Sequence, residues 1–145
     1  MSFIDSLFNN YEKISKINYE FLQDIIKNNN TEYYIINTMD ITVQNVLIPN
    51  TIQYMDEENI INELINNRNF NKKIIIYGKN NNDEKIIHKY LQLKKYGFTN
   101  LFLYYGGLFE WLLLQDIYGK ELFPTKGNTL DILKYKPLNI NLKKN

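Results

Sequence analysis

The residues with the clearest chemical potential lie in one polar loop, residues 78–84, which follows the apolar run 74–77. Lys79 could bind an anion there together with backbone N–H groups. Asp83 and Glu84 end the loop, just before a predicted helix. A carboxylate in that place stabilises the helix N-terminus by about 0.3–1 kcal/mol and repels an incoming anion. We therefore expect a helix cap and a solvated lysine at this loop.

The composition excludes several kinds of chemistry. The chain has no cysteine, which excludes thiol nucleophiles, disulfides and cysteine-ligated zinc or iron–sulfur sites. Its one histidine, His88, excludes metal sites that need two histidines. No motif pairs His88 with a carboxylate or hydroxyl, so we expect a surface residue and not a general base. The sequence predicts no metal and no cofactor. A net charge of +1 over 145 residues lacks the basic excess typical of nucleic-acid binding, so no nucleic-acid partner is predicted.

Strand-like and helix-like segments alternate along the chain. Apolar runs predict strands at residues 14–17, 33–36, 74–77 and 101–104, with a small further strand at the end of residues 46–52. Helical spacing predicts helices between them, one capped by Asn18, one capped by Asp56 and one ending at Gly97. This alternation is typical of βαβ units. We therefore predict an α/β fold in three layers, with a central, mostly parallel sheet of about five strands.

The N-terminal segment, residues 1–13, places Ile4, Leu7, Phe8 and Tyr11 at helical spacing, which predicts an amphipathic helix. It lacks the basic region and apolar block of a secretory signal peptide. No apolar stretch approaches the roughly 18 residues that span a bilayer. We therefore expect a cytoplasmic protein with no membrane partner. The abundance of Asn, Ile and Lys and the absence of alanine indicate a very AT-rich genome.

Three segments, in this order, carry a family pattern. Residues 47–52 are Leu-Ile-Pro-Asn-Thr-Ile, residues 74–77 precede a polar loop and a helix, and residues 96–111 contain Gly-Phe, Gly-Gly and Trp. Together they resemble the rhodanese (sulfurtransferase) domain family, with its His-Ile-Pro-Gly-Ala-Ile stretch, its strand before the active-site loop, and its Gly-Phe, Gly-Gly and Trp pattern. The resemblance covers residues 14–115. Residues 1–13 would form an N-terminal helical extension, and residues 116–145 a C-terminal extension that packs on the domain and ends in a polar tail.

The resemblance implies that Gly78 stands where active family members carry their cysteine. In those members, loop N–H groups lower the pKa of the thiol, and the sulfur holds a persulfide. Glycine offers no nucleophile. Asn37 and Met39 likewise replace an acidic residue and an arginine that are common in the family. We expect no catalytic residue, and a degenerate active-site loop made of Gly78, Lys79, Asn80, Asn81, Asn82, Asp83 and Glu84. Trp111 is expected in the core and Glu110 in solvent.

These observations favour a catalytically inactive rhodanese-like domain that acts as a protein-interaction or regulatory module with an unknown protein partner. The alternative is a small-anion or ligand-binding protein, or a non-cysteine enzyme, that reuses the pocket of residues 78–84. A third possibility is a structural protein whose N-terminal stripe docks on a second copy. The sequence predicts a monomer or a weak homodimer.

Overall fold

The computed structural model describes residues 14–138. The predicted N-terminal helix, with its stripe of Ile4, Leu7, Phe8 and Tyr11, lies outside the described residues, as does the end of the predicted polar tail.

The described chain alternates strands and helices. Four strands are present in this part of the chain: β1 (Ser15–Ile17), β2 (Tyr33–Asn37), β3 (Lys73–Tyr77) and β4 (Leu101–Tyr104). The α-helices are α1 (Tyr19–Lys27), α2 (Tyr54–Asn66), α3 (Lys85–Tyr96) and α4 (Gly107–Tyr118), and short 3-10 turns span Ile41–Val43 and Ile132–Tyr135. The strands form one parallel sheet in the order β1-β4-β3-β2. The predicted α/β class is confirmed.

The sheet is buried on both faces, as the unbroken apolar runs predicted. In β3, Ile74 and Ile76 face the core side that α2 and α3 cover, and Ile75 and Tyr77 face the side that α1 and α4 cover. Each of these four residues has 0% exposure. The three layers follow from this alternation, because successive strand residues point to opposite faces of a sheet.

Two boundaries differ from the sequence prediction. The fifth strand is reduced to one parallel bridge between Ile35 and Thr51, because α2 begins only three residues later and leaves no length to pair. Asp56 was predicted to cap α2, but the helix begins at Tyr54, and Asp56 lies in its first turn. A carboxylate there still complements the helix dipole.

Two helix ends agree with the prediction. The side chain of Asn18 accepts a hydrogen bond from the Phe21 N–H at 3.0 Å, which caps α1. Gly97 ends α3 with a φ of +114°, the left-handed conformation that glycine adopts without strain. Within the described residues, no helix is both long enough and apolar enough to cross a membrane.

Candidate functional site

Residues 78–84 connect the end of β3 to the start of α3, at the carboxyl edge of the sheet. The loop is fixed to the start of α4 by two backbone hydrogen bonds of 2.9 Å, from Leu108 N to Gly78 O and from Phe109 N to Lys79 O. Gly107 permits this contact. Its φ is +71°, and a β-carbon there would lie 2.8 Å from the backbone nitrogen of Asn80. Only glycine fits such an approach without displacing the loop.

The carboxylate of Asp83 lies at the centre of this loop. One oxygen, Oδ2, accepts hydrogen bonds from the Lys79 N–H at 3.0 Å and from the Thr38 hydroxyl at 3.2 Å. The other, Oδ1, accepts from the Lys85 N–H at 3.0 Å in the first turn of α3. Hydrogen bonds to a charged acceptor are the stronger kind. The loop amides therefore already bind an anion, and this anion belongs to the chain itself.

Gly78 is buried directly against that carboxylate. A β-carbon built on Gly78 would lie 2.8 Å from Cγ and 3.0 Å from Cβ of Asp83, and it would overlap Oδ2. Gly78 has no positive φ, so the backbone conformation does not require glycine there. The space that a side chain at Gly78 would need is taken by Asp83.

The other loop residues have unlike environments. Lys79 is half-buried, and Asn81, Asn82 and Glu84 are exposed. The Glu84 side chain makes no capping hydrogen bond to α3, so Asp83 alone performs the capping expected of both. Asn80 is buried, and its Oδ1 accepts a hydrogen bond from the Asn82 N–H at 2.9 Å.

The buried Asn80 connects the loop to the C-terminal segment, residues 119–138. Its Nδ2 donates to the Tyr135 carbonyl at 2.9 Å. The ring of Tyr135 has 0% exposure, and its hydroxyl donates to the Val43 carbonyl at 3.3 Å. The sequence singled out the asparagine run without distinguishing its members, and gave no signal that Asn80 alone would be buried.

The C-terminal segment contacts α4 before it reaches this place. The indole N–H of Trp111 donates to the Pro124 carbonyl at 2.8 Å, and the Trp111 and Phe123 rings meet edge to face at 5.1 Å. Farther along, Lys126 and Leu47 exchange two backbone hydrogen bonds of 2.8 and 3.0 Å. Trp111 has 0% exposure, which confirms its predicted place in the core.

The end of β2 borders the same loop. Asn37 is buried, and its Oδ1 accepts from the Met39 N–H at 3.0 Å, while the Thr38 N–H donates to the Tyr77 carbonyl at 3.0 Å. Asn37 and Met39, where the resemblance expects an acid and an arginine, thus serve a local turn and the core.

Two buried tyrosines have polar partners that the sequence did not indicate. The Tyr77 hydroxyl accepts from the Ile48 N–H at 3.2 Å and lies 2.8 Å from the Thr51 hydroxyl. Burial raises the pKa of Tyr77 well above its ordinary value. Tyr104 donates to Glu110 at 2.7 Å, and burial, followed by that carboxylate, also raises the pKa of Tyr104. Glu110 was predicted to face water, but it is half-buried because it accepts this hydrogen bond.

His88 is exposed on α3, outside the loop. No group of three or more histidine, cysteine, aspartate or glutamate side chains within residues 14–138 could hold a metal ion.

A cleft of about 440 Å³ opens beside the loop. Three walls enclose it: the loop, the turn after β2, and residues that follow the Ile132–Tyr135 turn. Its lining is Met39, Asp40, Thr42, Val43, Lys79, Asn80, Asn82, Asp83, Lys85, Lys136 and Leu138. The C-terminal segment therefore forms part of the approach to the loop.

Comparisons with known proteins agree with this architecture. The model of the family described as the rhodanese-like domain matches residues 29–114, more than half of the chain. A crystal structure of a protein from Anabaena sp. is similar at 20% identity and a TM-score of 0.58, covering 81% of this chain and 97% of that one. The solution structure of the rhodanese-like domain of an Anabaena sp. protein gives 19% identity and a TM-score of 0.54, with 86% and 85% covered. A crystal structure of a protein from Lactobacillus plantarum gives 20% identity and a TM-score of 0.57, with 76% and 91% covered. No curated protein matches the sequence.

Proposed function

Since this chain belongs to the rhodanese-like domain family and contains no cysteine, we propose that it is a family member without sulfurtransferase chemistry that serves as a protein-binding module. The observation that carries the proposal is the position of Asp83. Its carboxylate accepts the loop hydrogen bonds and fills the space next to Gly78. In this proposal, residues 78–84 are a degenerate active-site loop, and Gly78 stands at the family's cysteine position.

The physical basis is that an anion site binds one anion at a time. The N–H groups of Lys79 and Lys85 bind Asp83 at 3.0 Å each, and the Thr38 hydroxyl binds it too. An anionic substrate would have to displace a tethered carboxylate whose effective concentration is far higher than its own. It would also meet the negative charge of that carboxylate. Both effects oppose the alternative of a small-anion site at this loop.

We also propose that the C-terminal segment belongs to the same folding unit as the family domain. Helix α4 continues to Tyr118 without interruption, past the boundary at residue 115 that the resemblance suggests. Phe123 and Tyr135 are buried in the same apolar cluster as Trp111. Residues 119–138 would then contribute to stability as well as to the walls of the cleft.

Thiosulfate:cyanide sulfurtransferase turnover tests the lost chemistry. We expect the wild-type protein and the Gly78→Cys variant both to give thiocyanate at the rate of a protein-free blank. Wild-type turnover above that blank would refute the proposal outright. Turnover by Gly78→Cys would show that the site lost only its nucleophile and that Asp83 does not obstruct it.

A thermal-shift measurement separates the binding module from the small-anion alternative. A ligand that binds the folded state raises the melting temperature in proportion to the logarithm of its concentration. We expect phosphate and sulfate to raise the melting temperature of the wild-type protein and of Lys79→Gln equally, because these salts stabilise folded proteins without binding a site. A concentration-dependent increase in the wild-type protein that disappears in Lys79→Gln would favour the small-anion site.

A further inference from the structure

The cleft beside the loop carries more positive than negative side chains. Lys79, Lys85 and Lys136 line it, against Asp40 and Asp83. In the part of the chain that the structure describes, no ion pair involves any of these three lysines. Their ammonium groups are therefore available to a bound molecule.

The two aspartates, in contrast, already have donors. Asp83 accepts the three hydrogen bonds described above. Asp40 accepts from the Thr42 N–H at 3.0 Å and from the Thr42 hydroxyl at 2.9 Å. These bonds, with a smaller contribution from Lys85, hold the pKa of Asp40 below its ordinary value, so it stays charged and internally bound. Carboxylates satisfied in this way compete weakly for the lysines.

The cleft also has an apolar side. Met39 forms part of it with only 5% of its surface exposed, Val43 lies beside it, and Leu138 stands on the rim with 57% exposed. Its volume of about 440 Å³ lies within the roughly 300–1,000 Å³ of ligand-binding clefts. An occupant that combines negative charge with an apolar side chain would match both sides.

We propose that this cleft binds a short acidic segment of a partner protein, with an apolar side chain against Met39 and Leu138 and carboxylates near Lys79, Lys85 and Lys136. The inference rests on the proposed function and names the surface and the partner's chemistry. A peptide fits better than a small anion because the lysines surround an open cleft with an apolar side, while the backbone donors of the loop are bound to Asp83.

Fluorescence anisotropy with two labelled peptides tests the proposal. The acidic probe is Glu-Leu-Glu-Glu-Leu-Glu, and its uncharged match is Gln-Leu-Gln-Gln-Leu-Gln, both with blocked ends. We expect the acidic peptide to bind the wild-type protein at low ionic strength at least about 10-fold more tightly than its match, with weaker binding as salt is added. Absence of binding by the acidic peptide would overturn the proposal.

Two triple variants locate the site. The cleft variant is Lys79→Gln/Lys85→Gln/Lys136→Gln. The control, Lys27→Gln/Lys94→Gln/Lys95→Gln, removes the same charge from exposed positions in the last turns of α1 and α3, away from the cleft. We expect the cleft variant to weaken binding about 10-fold and the control to change it less than about 2-fold. Equal weakening by both would mean attraction to net charge only and would overturn the proposal.

Competition with inorganic phosphate, at matched ionic strength, and a turnover assay on the same preparations complete the test. Displacement of the peptide by phosphate at equal concentrations would assign the cleft to small anions and overturn the proposal. Thiocyanate formation by the wild-type protein would refute the proposed function instead. Blank-level turnover without peptide binding would refute only this inference.

Discussion

Gly78 and Asp83 occupy one another's space. A β-carbon on Gly78 would lie 2.8 Å from Cγ of Asp83, well inside van der Waals contact, and it would overlap Oδ2. The two residues therefore depend on each other: the small residue at the start of the loop leaves room for the carboxylate at its end. The carboxylate in turn binds the amide groups that would otherwise lack a partner.

The first prediction concerns the contribution of Asp83 to stability. We expect Asp83→Ala to lower the free energy of unfolding by about 1–3 kcal/mol, because three donors lose a charged acceptor. The control, Glu84→Ala, removes an exposed carboxylate that makes no capping hydrogen bond, so a change below about 0.5 kcal/mol is expected. Urea denaturation measures both. Equal effects of the two substitutions would contradict the central place of Asp83.

A second prediction separates the members of the asparagine run. Asn80→Ala should destabilise the protein by about 1–2 kcal/mol, since it removes the hydrogen bonds to the Tyr135 carbonyl and the Asn82 N–H. Asn81 is exposed, and Asn81→Ala is the matched control with little expected effect. Hydrogen exchange should be faster across residues 131–138 in the first variant only. Unchanged exchange there would disprove the connection between loop and C-terminal segment.

The third prediction is an alkaline limit on stability. Burial raises the pKa of Tyr77 and Tyr104 in the folded protein above the ordinary value of 10.0. Their contribution to stability is complete below about pH 9. It is lost as the pH rises above 10, because the unfolded chain then releases protons that the folded chain keeps. Each tyrosine should contribute a slope of about 1.4 kcal/mol per pH unit above pH 10.

Urea denaturation at several pH values, combined with Tyr77→Phe and Tyr104→Phe, checks this limit. Above pH 10, each substitution should reduce the dependence of the unfolding free energy on pH by about 1.4 kcal/mol per pH unit, the contribution of one tyrosine. This holds whatever the substitution does to stability at pH 7. Spectrophotometric titration counts the tyrosines that ionise as the pH rises. In the folded wild-type protein, we expect Tyr77 and Tyr104, two of the 12 tyrosines, to stay protonated until the chain unfolds. Ionisation of all 12 tyrosines near pH 10 in a protein that is still folded would count against the burial of Tyr77 and Tyr104.

A fourth prediction tests whether the C-terminal segment stabilises the domain. Trp111→Phe removes the donor to the Pro124 carbonyl and part of a fully buried ring, so we expect a loss of about 1–3 kcal/mol. Ile117→Ala on the same helix is the control, because Ile117 is 69% exposed. Protease cleavage between residues 119 and 138 should also become faster in the Trp111 variant. Equal cleavage rates in both variants would show that the segment packs independently of Trp111.

The sequence predicted the fold well because the signals were local and repeated. Residues 74–77 are apolar without alternation, which indicates a strand buried on both faces, and helical spacing on either side leaves few alternatives to a βαβ unit. The start of α1 and the end of α3 were each predictable from one residue, because asparagine is strongly preferred at a helix N-cap and glycine just after a helix. The fifth strand was harder to judge, because pairing at Thr51 depends on how much chain remains before α2 begins.

The site was predictable only in part, because its essential contacts join residues distant in sequence. The sequence located the loop and, through the family resemblance, assigned the missing cysteine to Gly78. It interpreted Asp83, with Glu84, as an ordinary helix cap, whereas the Asp83 carboxylate also binds Thr38, 45 residues away in sequence. The hydrogen bond from Asn80 to the Tyr135 carbonyl likewise joins residues that are 55 apart in sequence. No spacing rule identifies such partners.

The reactivity of a thiol placed at Gly78 tests directly whether the Asp83 carboxylate occupies the anion site of the loop. Because the chain has no cysteine of its own, alkylation of Gly78→Cys and of Gly78→Cys/Asp83→Gly reports one sulfur in each variant. Asn81→Cys provides an exposed reference on the same loop. Glycine at position 83 removes the three atoms that would lie nearest to the new β-carbon.

We expect the double variant to ionise with a thiol pKa below about 8.5, since the loop amides become free to bind the thiolate. The single variant should have a raised thiol pKa and slow alkylation at neutral pH, because the thiol is crowded by the Asp83 carboxylate. Rates of alkylation across a pH series give both values. Equal, low pKa values in the two variants would contradict the claim that Asp83 occupies the loop's anion site.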